Sequence, residues 1–314
     1  MKNMDVSIIY VNYYTKALIL DSIRSVKKFT VNISYEIIIV DNNTEDLSEI
    51  RNSFTDVKIL KLPKNEGFGV ANNKGAEIAS GQYILFLNPD TLLLNNAVFL
   101  LFNALSEHCN YGVVGGNLFD ERMNPMHSYM WVTLSVPYIL RTVFLPKKFY
   151  SSIKYQFNFS NKHKKVGYST GADLMIRRHL FEKVNGFSNV IFMYYEDVDL
   201  CVRVRNEKFD IVNIPQARIQ HLEGRSLKEG SDTEKQRKRL EMNIESQAKF
   251  LYNTLGKRKS LMLLQLAIGL FALKSFFYKV ANLNNFNYIR DNMNFYLLLK
   301  KKYIDYEKSI DTRF

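Results

Sequence analysis

Three strand-length apolar runs in the first 90 residues constrain the fold more than any other feature of this chain, because each stops at Asn or Asp. The runs occupy 6–11, 37–40 and 84–87, and the residues that end them are Asn12, Asp41 and Asn88. Apolar runs of this length are typical of strands covered on both faces. Segments with helical spacing, over 16–29 and 67–80, alternate with them. The alternation predicts crossover units, and therefore an α/β fold with a mainly parallel sheet.

The polar residues that end the first two runs are candidates for ligand binding. Sheets of this kind bind ligands at the carboxyl ends of their strands, so we expect Asn12 and Asp41 at one edge although they are far apart in sequence. A carboxylate there can accept a hydrogen bond from a base N–H or a ribose hydroxyl. From the residues alone, the alternative is that Asp41 and Asn43 cap the next helix or form the turn.

The third run ends in Asn88-Pro89-Asp90, and the proline disfavours continuation of the strand. A carboxylate two residues beyond a buried strand is well placed to hold a hard cation, with the amide oxygen of Asn88 as a weaker neighbour. The alternative is an Asp turn before a helix. His221, which follows a strand-like stretch, is either a polar surface residue or a nitrogen ligand that completes the cation site at Asp90.

Adjacent carboxylates, Glu196 and Asp197, follow the aromatic run 192–195 and begin a predicted helix. Burial and like charge both raise the pKa of a carboxyl group, so this pair is a candidate general base. The alternative is that the acids only favour the positive end of the helix dipole. Because residues two apart on a helix diverge by about 200°, Asp199 faces away from Asp197 and is predicted to pair with Arg203.

The net charge of +12 is carried by two segments that lie outside the regular α/β pattern. Segment 126–172 has seven Lys or Arg and no Asp or Glu, segment 225–314 has 18 against 9, and the remaining residues sum to −4. A nucleic-acid-binding protein usually carries its excess charge on its recognition element, so this distribution argues against a nucleic-acid partner. It favours contact with an anionic membrane or a lipid-diphosphate acceptor.

The C-terminal run 261–273 is apolar apart from Gln265, with basic residues before and after it. Its 13 residues are fewer than the roughly 20 that cross a bilayer. We therefore expect a buried helix, a helix packed in a homodimer, or one that lies in the membrane interface. Segments 126–165 and 257–280 are the candidates for membrane contact.

Two features bear on the compartment. Cys109 and Cys201 are too few for a disulfide framework, which fits a reducing environment. Asp5 directly precedes the first apolar run, which has the length of a strand rather than of a signal peptide. We expect a cytoplasmic protein, peripheral on the inner face of the cell membrane.

Taken in order, the motifs resemble those of the family 2 glycosyltransferases, in particular the bacterial rhamnosyltransferase-like branch. The matching blocks are VSIIYVNY at 6–13, IVDNNT at 39–44, NEGFGVANNKG at 65–75, LNPDT at 87–91, STGADLMIRR at 169–178 and FMYYEDVDLCVR at 192–203, followed by His221, Gly224 and Ser226. The resemblance covers about 4–226. It implies a catalytic domain over 1–226, with a variable acceptor-facing or membrane-facing segment at 126–165, and a helical extension over 227–314.

The resemblance also implies a Rossmann-like nucleotide-diphospho-sugar transferase fold of the GT-A type, with a mainly parallel mixed sheet. It implies Asp197 as the general base, with Glu196 beside it near the acceptor, and Asp90 and His221 as ligands of Mg²⁺ or Mn²⁺. The nucleotide or donor contacts it implies are Asn12, Asp41, Asn43, Asn73, Asn88 and Asp173. The family's metal motif is commonly Asp-x-Asp, so Asn88 at its first position weakens the expected metal affinity.

The chemistry fits these residue types. An acceptor hydroxyl is a poor nucleophile, so a carboxylate must take its proton, and a cation neutralises the departing nucleoside diphosphate. A single displacement with one base inverts the anomeric carbon and requires no second nucleophile. The expected reaction is inverting transfer from a nucleotide sugar, such as dTDP-rhamnose or a UDP-sugar, to a glycan or lipid-linked saccharide in bacterial surface polysaccharide synthesis.

Two other classes of protein compete with this interpretation. A sugar-nucleotide pyrophosphorylase needs a Gly-rich loop with Arg and Lys directly after the first strand, and 12–15 lacks both features. A non-catalytic scaffold on a degenerate transferase fold is the other alternative, favoured by Asn88 and by the two basic segments.

Overall fold

The computed structural model describes residues 4–131, 135–144, 153–222, 233–280 and 286–311. These residues form two compact units. The first contains 4–131, 153–192 and 196–222, and the second contains 135–144, 193–195, 233–280 and 286–311. The second unit therefore takes in two short stretches that the sequence assigns to the catalytic domain. The predicted boundary between 226 and 227 lies outside the described residues.

The first unit is built on a mixed sheet. In chain order the strands of the molecule are β1 Val6–Asn12, β2 Tyr35–Asp41, β3 Val57–Lys61, β4 Tyr83–Leu87, β5 Thr91–Leu93, β6 Tyr111–Phe119, β7 Tyr129–Met130, β8 Lys164–Lys165, β9 Tyr168–Ser169, β10 Asp173–Arg177 and β11 Asp210–His221. Within the described ranges, nine strands form the main sheet in the order β3-β2-β1-β4-β10-β6-β11-β5, with β8 beside β11. Strands β7 and β9 form a separate antiparallel pair.

Helices connect the strands of the first unit and make up most of the second. The helices are α1 Lys16–Phe29, α2 Ser48–Ser53, α3 Phe68–Glu77, α4 Ala97–Glu107, α5 Val136–Phe144, α6 Arg178–Lys183, α7 Glu196–Asn206, α8 Thr233–Phe250, α9 Lys257–Val280 and α10 Phe286–Asp311. Helices α5, α8, α9 and α10 belong to the second unit. The sequence also predicts that an amphipathic helix begins at Ser231 or Asp232, and both positions lie outside the described residues.

The main sheet is covered on both faces, as the continuous apolar runs predict. Along β2, Ile37 and Ile39 lie in one buried apolar cluster, which includes side chains of α1 and α4. Ile38 and Val40, on the opposite face, lie in a second cluster with side chains of α3, α6 and α7. Because both faces of the strand are buried, a polar residue within it would be unfavourable, and polar side chains appear where the strand ends.

Strand direction places several chain segments at one edge of the sheet. Strands β1, β2 and β4 are parallel, and Asn12 is in register with Asp41. Strand β10 runs antiparallel to β4, so its first residue, Asp173, pairs with Leu87 at the end of β4. Strand β11 runs parallel to β6, which is itself antiparallel to β10, so β11 also ends at this edge, in His221. The prediction that the carboxyl ends of β1, β2 and β4 lie at one edge of the sheet is confirmed.

Three local patterns of the sequence predict something different from the structure. The stretch 166–177 predicts one strand, but the structure has two, β9 and β10, separated by a turn at 170–172. The stretch 209–214 predicts a strand, and β11 continues beyond it to His221 because β5 and β6 pair with its second half. Thr15 is predicted to cap α1, but its N–H and hydroxyl both donate to Asn12 Oδ1, so its side chain makes no cap.

The apolar C-terminal run is part of a longer helix than the sequence suggested. Helix α9 has 24 residues, and among the described helices it is the one whose length and composition suffice to cross a membrane. The expectation that this segment is too short to span is therefore wrong. The reason is that residues on either side of 261–273, including Phe276 and Phe277, continue the helix.

Candidate active site

Asn12 and Asp41, at the ends of β1 and β2, form a buried polar cluster. Asn12 Nδ2 donates to Asp41 Oδ1 at 3.0 Å and also lies 3.2 Å from Asn43 Oδ1 and 3.0 Å from Glu45 Oε2. Because Asn12 Oδ1 accepts from both donors of Thr15, the Asn12 amide is held on both sides. Glu45 is a member of this cluster that the sequence did not suggest.

Two atoms of the cluster are complementary to a ligand. Asp41 Oδ2 and Asn43 Nδ2 are buried and have no hydrogen-bond partner in the structure. Buried polar groups are nearly always paired in native proteins, so an acceptor and a donor without partners in one cluster mark it as a candidate ligand-binding site. A ligand with its own donor and acceptor, such as the edge of a nucleobase, has the matching chemistry.

Asn73 lies in a different setting from the one expected for a nucleotide contact. Its Nδ2 donates to Phe187 O at 2.8 Å and to Asn189 Oδ1 at 3.1 Å, and its Oδ1 accepts from Phe187 N at 2.8 Å. Both amide hydrogens are therefore used within the protein. The side chain of Asn73 connects α3 to the loop at 186–189, and it is not part of the Asn12 cluster.

The turn after β4 places Asp90 against the end of β11. The main chain of Asn88 is fixed, because its N–H donates to Ala172 O at 2.9 Å and its carbonyl accepts from Thr91. Asp90 is 5% exposed, and its Oδ1 lies 3.3 Å from His221 Nε2. The N–H of the next residue, Leu222, donates to Asp90 O at 2.8 Å. The predicted pairing of Asp90 with His221 is present in the fold.

Asp90 and His221 suit a divalent cation that a substrate helps to bind. No group of three or more His, Cys, Asp or Glu with metal-binding geometry occurs among the described residues. The protein thus offers one carboxylate and one imidazole, each close to the other. Mg²⁺ in phosphoryl sites is commonly held by one or two carboxylates together with substrate phosphates and water. The two side chains fit a cation whose other ligands are the oxygens of a diphosphate.

Asp173, the first residue of β10, is fully buried at the same edge. Its Oδ2 accepts from the N–H of Gly116, and its Oδ1 has no partner. Burial raises the pKa of Asp173 to about 7, while the Gly116 hydrogen bond and the nearby charge of His221 lower it. A Cβ at Gly115 would meet the Ser169 hydroxyl at 2.1 Å and Asp173 Oδ1 at 3.5 Å. Glycine at this position therefore allows the Ser169 side chain to pack against the main chain of β6 beside Asp173, a close approach that the sequence did not suggest.

Glu196 and Asp197 begin α7, and the main chain fixes the orientation of Asp197. Its Oδ2 accepts from Gly171 N at 3.0 Å and its Oδ1 from Val198 N at 2.8 Å. Glu196 is 7% exposed, and its Oε2 has no partner. The predicted pair of Asp199 with Arg203, at 2.6 Å, is confirmed.

Burial changes the protonation of these two carboxyl groups. Burial and then the charge of Asp197 raise the pKa of Glu196 to about 8. Burial also raises the pKa of Asp197, against the effect of its backbone hydrogen bonds. A buried carboxyl and a half-buried one at adjacent positions favour a shared state in which one is protonated and the other ionised. An ionised carboxylate beside a protonated one has the chemistry of a general base.

The segment before Glu196 is fixed against the start of α3. Phe68 N donates to Phe192 O at 2.9 Å. Gly67 has φ 88°, and a Cβ there would lie 2.4 Å from Phe192 O, so glycine is required by both its conformation and the close approach. At Gly69, a Cβ would lie 3.7 Å from that of Glu196. Gly67 thus allows the start of α3 to approach Phe192, in the segment that precedes the acidic pair, and α3 at Gly69 lies in van der Waals range of Glu196.

The chain has clear similarity to known proteins. A family model described as Glycosyl transferase family 2 matches residues 7–184, and a model described as the N-terminal domain of galactosyltransferase matches 154–225. A solved structure, that of GalNAc-T7 with UDP, GalNAc and Mn²⁺, aligns with a TM-score of 0.57 and 17% identity over 80% of this chain and 48% of that chain. The alignment confirms the predicted GT-A fold.

Curated relatives are transferases of glycan synthesis. A low-salt glycan biosynthesis hexosyltransferase of Haloferax volcanii is 25% identical over 66% of this chain and 64% of its own length. The N-acetylglucosaminyl-diphospho-decaprenol L-rhamnosyltransferase of Mycobacterium tuberculosis is 26% identical over 54% of this chain and 59% of its own length. Rhamnosyltransferase WbbL of Escherichia coli is 29% identical over 44% of this chain and 54% of its own length. The chain thus spans between half and two thirds of the length of these relatives.

Proposed function

Because the chain belongs to glycosyl transferase family 2, we propose that it transfers a sugar from a nucleotide-diphosphate sugar to a hydroxyl group of a saccharide. The observation that carries the proposal is the orientation of Asp197. Its carboxylate is tied by Gly171 to the turn before β10, at the same edge as the unpaired Asp41 oxygen. A base and a nucleotide-recognition group at one edge of a GT-A sheet are the two elements that the reaction requires.

The donor nucleotide occupies the cluster at the ends of β1 and β2 in this proposal. Asp41 Oδ2 accepts a hydrogen bond from the base, Asn43 Nδ2 donates to it, and Asn12 holds the Asp41 carboxylate in place. Asn88 and Asp173 lie farther along the edge and contact the diphosphate or the sugar. Asn73 is left out of the contact set, because its amide is fully used by the loop at 186–189.

The proposal includes a divalent cation, Mg²⁺ or Mn²⁺, held by Asp90 and His221. When bound there, the cation neutralises charge on the departing nucleoside diphosphate. The 3.3 Å separation of the Asp90 carboxylate and the His221 imidazole supports this assignment. The GT-A relative with Mn²⁺ and UDP supports it as well.

Asp197 takes the proton from the acceptor hydroxyl as that oxygen attacks the anomeric carbon. Each Asp197 oxygen accepts one backbone hydrogen bond, and each retains a lone pair for the proton. Glu196, protonated more readily than an ordinary carboxyl, limits the negative charge beside the base. With one base and a single displacement, the product has the inverted anomeric configuration.

Rhamnose from dTDP-rhamnose, or a sugar from a UDP-sugar, is the donor group in this proposal. The names of the M. tuberculosis and E. coli relatives support rhamnose, and that of the former supports a lipid-linked saccharide as acceptor. The proposed role is transfer on the inner face of the cell membrane, in synthesis of a bacterial surface polysaccharide.

A nucleotide-sugar screen tests the proposal. The purified full chain is incubated with dTDP- and UDP-sugars, Mg²⁺ or Mn²⁺, and short saccharide acceptors, and released nucleoside diphosphate is measured. We expect release with one donor, and about 10²- to 10⁴-fold less for Asp197→Asn. Asp56→Asn, which changes an exposed carboxylate paired with Lys27, is the matched control. Undiminished release by Asp197→Asn would refute the assignment of the base, and no release with any donor would refute the function.

A further inference from the structure

Helix α9, in the second unit, has two faces that are both largely apolar. One face is buried within the unit and consists of Ser260, Leu263, Leu264, Ala267, Phe271 and Ser275. The opposite face exposes large apolar side chains, between 54% and 69% each: Met262, Leu273, Phe276, Phe277 and Val280. We call these five residues the apolar face of α9. An exposed apolar surface on this scale usually marks an interaction site.

Helix α5 extends the same surface. It packs on α9, and Lys274 Nζ of α9 donates to Val143 O near the end of α5. Two apolar side chains of α5 remain exposed, Leu140 at 40% and Phe144 at 67%. Helix α5, which belongs to the basic segment 126–172, thus adds the exposed side chains of Leu140 and Phe144 to the apolar surface beside α9.

The charges of α9 indicate what covers the apolar face. The helix contains five Lys or Arg and no Asp or Glu. Arg258 and Lys259 are exposed at its start and Lys279 near its end. An apolar stripe with cations at both ends matches an anionic lipid surface, because the apolar side chains enter the acyl boundary while the cations reach the headgroups. A second copy would place like charges together in either the parallel or the antiparallel arrangement.

The packing of α9 favours a position along the membrane surface rather than across it. Helix α10 runs antiparallel beside α9. Lys257, at the start of α9, pairs with Glu307 near the end of α10, and the rings of Phe271 and Tyr296, farther along α9 and earlier in α10, stack with their centroids 5.7 Å apart. Helix α10 carries charged residues along its length, including 300–302. If α9 crossed the bilayer, the charged side chains of α10 would enter the hydrocarbon, where each of them is strongly unfavourable.

We propose that the apolar face of α9, together with Leu140 and Phe144, binds the interface of a membrane that contains anionic lipid. The inference deepens the proposed function, on which its biological role rests, because a lipid-linked acceptor is presented at such a surface. Membrane binding itself is measured without any sugar donor, so its failure and the failure of transfer are distinguishable.

Vesicle flotation of the full chain tests the inference. Vesicles of phosphatidylcholine alone are compared with vesicles that also contain phosphatidylglycerol, at low and high salt. We expect flotation with the anionic vesicles that decreases as salt increases. Phe276→Ser/Phe277→Ser should reduce the floating fraction about tenfold or more, because the two rings carry much of the apolar surface that would be buried in the membrane. Val31→Ser/Ile78→Ser, at exposed apolar positions of the first unit, should float like the unmodified protein.

A charge variant distinguishes binding to anionic lipid from non-specific hydrophobic adsorption. Arg258→Glu/Lys259→Glu/Lys279→Glu should lose its preference for anionic vesicles, whereas Lys28→Glu/Arg51→Glu/Lys64→Glu, at exposed positions of the first unit outside both basic segments, should keep it. Circular dichroism and melting temperature establish that each variant is folded. Three results would overturn the inference: flotation unchanged by the α9 variants, a dimer in light scattering that the Phe276→Ser/Phe277→Ser variant converts to a monomer, or resistance of the membrane-bound chain to alkaline carbonate extraction.

Discussion

The backbone N–H of Gly171 donates to Oδ2 of Asp197 over 3.0 Å, and this bond joins the start of α7 to the turn before β10. Val198 N donates to the other carboxylate oxygen at 2.8 Å, so the main chain alone orients Asp197. A base positioned by backbone groups needs no side-chain partner, which leaves its remaining lone pairs available for a proton from substrate.

Activity should increase with pH, because the base must be ionised to act. Burial raises the pKa of Asp197, so the increase should occur above the usual range of an aspartate. Glu196 is still protonated while Asp197 ionises, so Glu196→Gln should leave this increase in place and remove any further change of rate near pH 8, where Glu196 itself ionises. The pH profile of kcat/KM provides the measurement. Glu182→Gln, an exposed acid paired with Arg178, is the control and should leave the whole profile unchanged. A large shift of the increase in Glu196→Gln would contradict the assignment of Glu196 as the protonated partner.

Glu196→Gln should also stabilise the protein at alkaline pH. The pKa of Glu196 is about 8 in the folded protein against an ordinary value of 4.5, so the folded state binds more protons between these values. The free energy of unfolding therefore decreases as pH rises from 4.5 to about 8, and above about pH 8 the folded protein carries the whole unfavourable energy of the buried Glu196 charge. The variant should melt at a higher temperature than the unmodified protein at about pH 9 and at nearly the same temperature at about pH 4.5. An equal difference at both pH values would contradict the assigned pKa.

The sequence predicts those parts of the site that depend on strand ends. Asn12 and Asp41 follow apolar runs directly, Asp90 follows one after Asn88 and Pro89, and parallel strands bring such ends together whatever lies between them. Asn73 could not be placed in this way, because its partners at 187 and 189 lie more than 100 residues away and a side-chain hydrogen bond leaves no periodic signal. Helix α9 was predicted too short because hydropathy defines an apolar run, whereas a helix continues through flanking lysines.

Asp90→Asn and His221→Gln should each raise the Mn²⁺ concentration needed for half-maximal diphosphate release about tenfold or more, since loss of even a residue that supports a ligand weakens metal affinity 10- to 100-fold. The loss of activity in these variants should become smaller at saturating Mn²⁺, because the proposed base, Asp197, remains intact. Metal titrations of activity provide the measurement. His179→Gln, an exposed histidine on α6, is the matched control. An unchanged requirement for metal in both variants would remove Asp90 and His221 from the cation site.

Asp41→Asn should weaken binding of a nucleoside diphosphate about 10- to 100-fold, because a hydrogen bond to a charged group contributes about 1.5–3 kcal/mol. Its Oδ2 is the buried acceptor without a partner in the Asn12 cluster. Calorimetric titration with UDP and with dTDP gives the dissociation constants. Asp46→Asn is the control, since the Asp46 carboxylate accepts from the N–H and the hydroxyl of nearby Ser48 in an exposed turn. Equal affinity in the two variants would exclude Asp41 from base recognition.

Asn73→Ala distinguishes a structural role from a nucleotide contact. The substitution leaves Phe187 N and O without their side-chain partner, so it should lower the free energy of unfolding by about 2 kcal/mol. Asn189→Ala removes only one exposed partner of the same amide and should cost less. Urea denaturation measures both, and calorimetry with UDP or dTDP measures binding by the folded variants. If Asn73→Ala kept its stability but bound the nucleotide weakly, Asn73 would be a nucleotide contact and the structural role would be wrong.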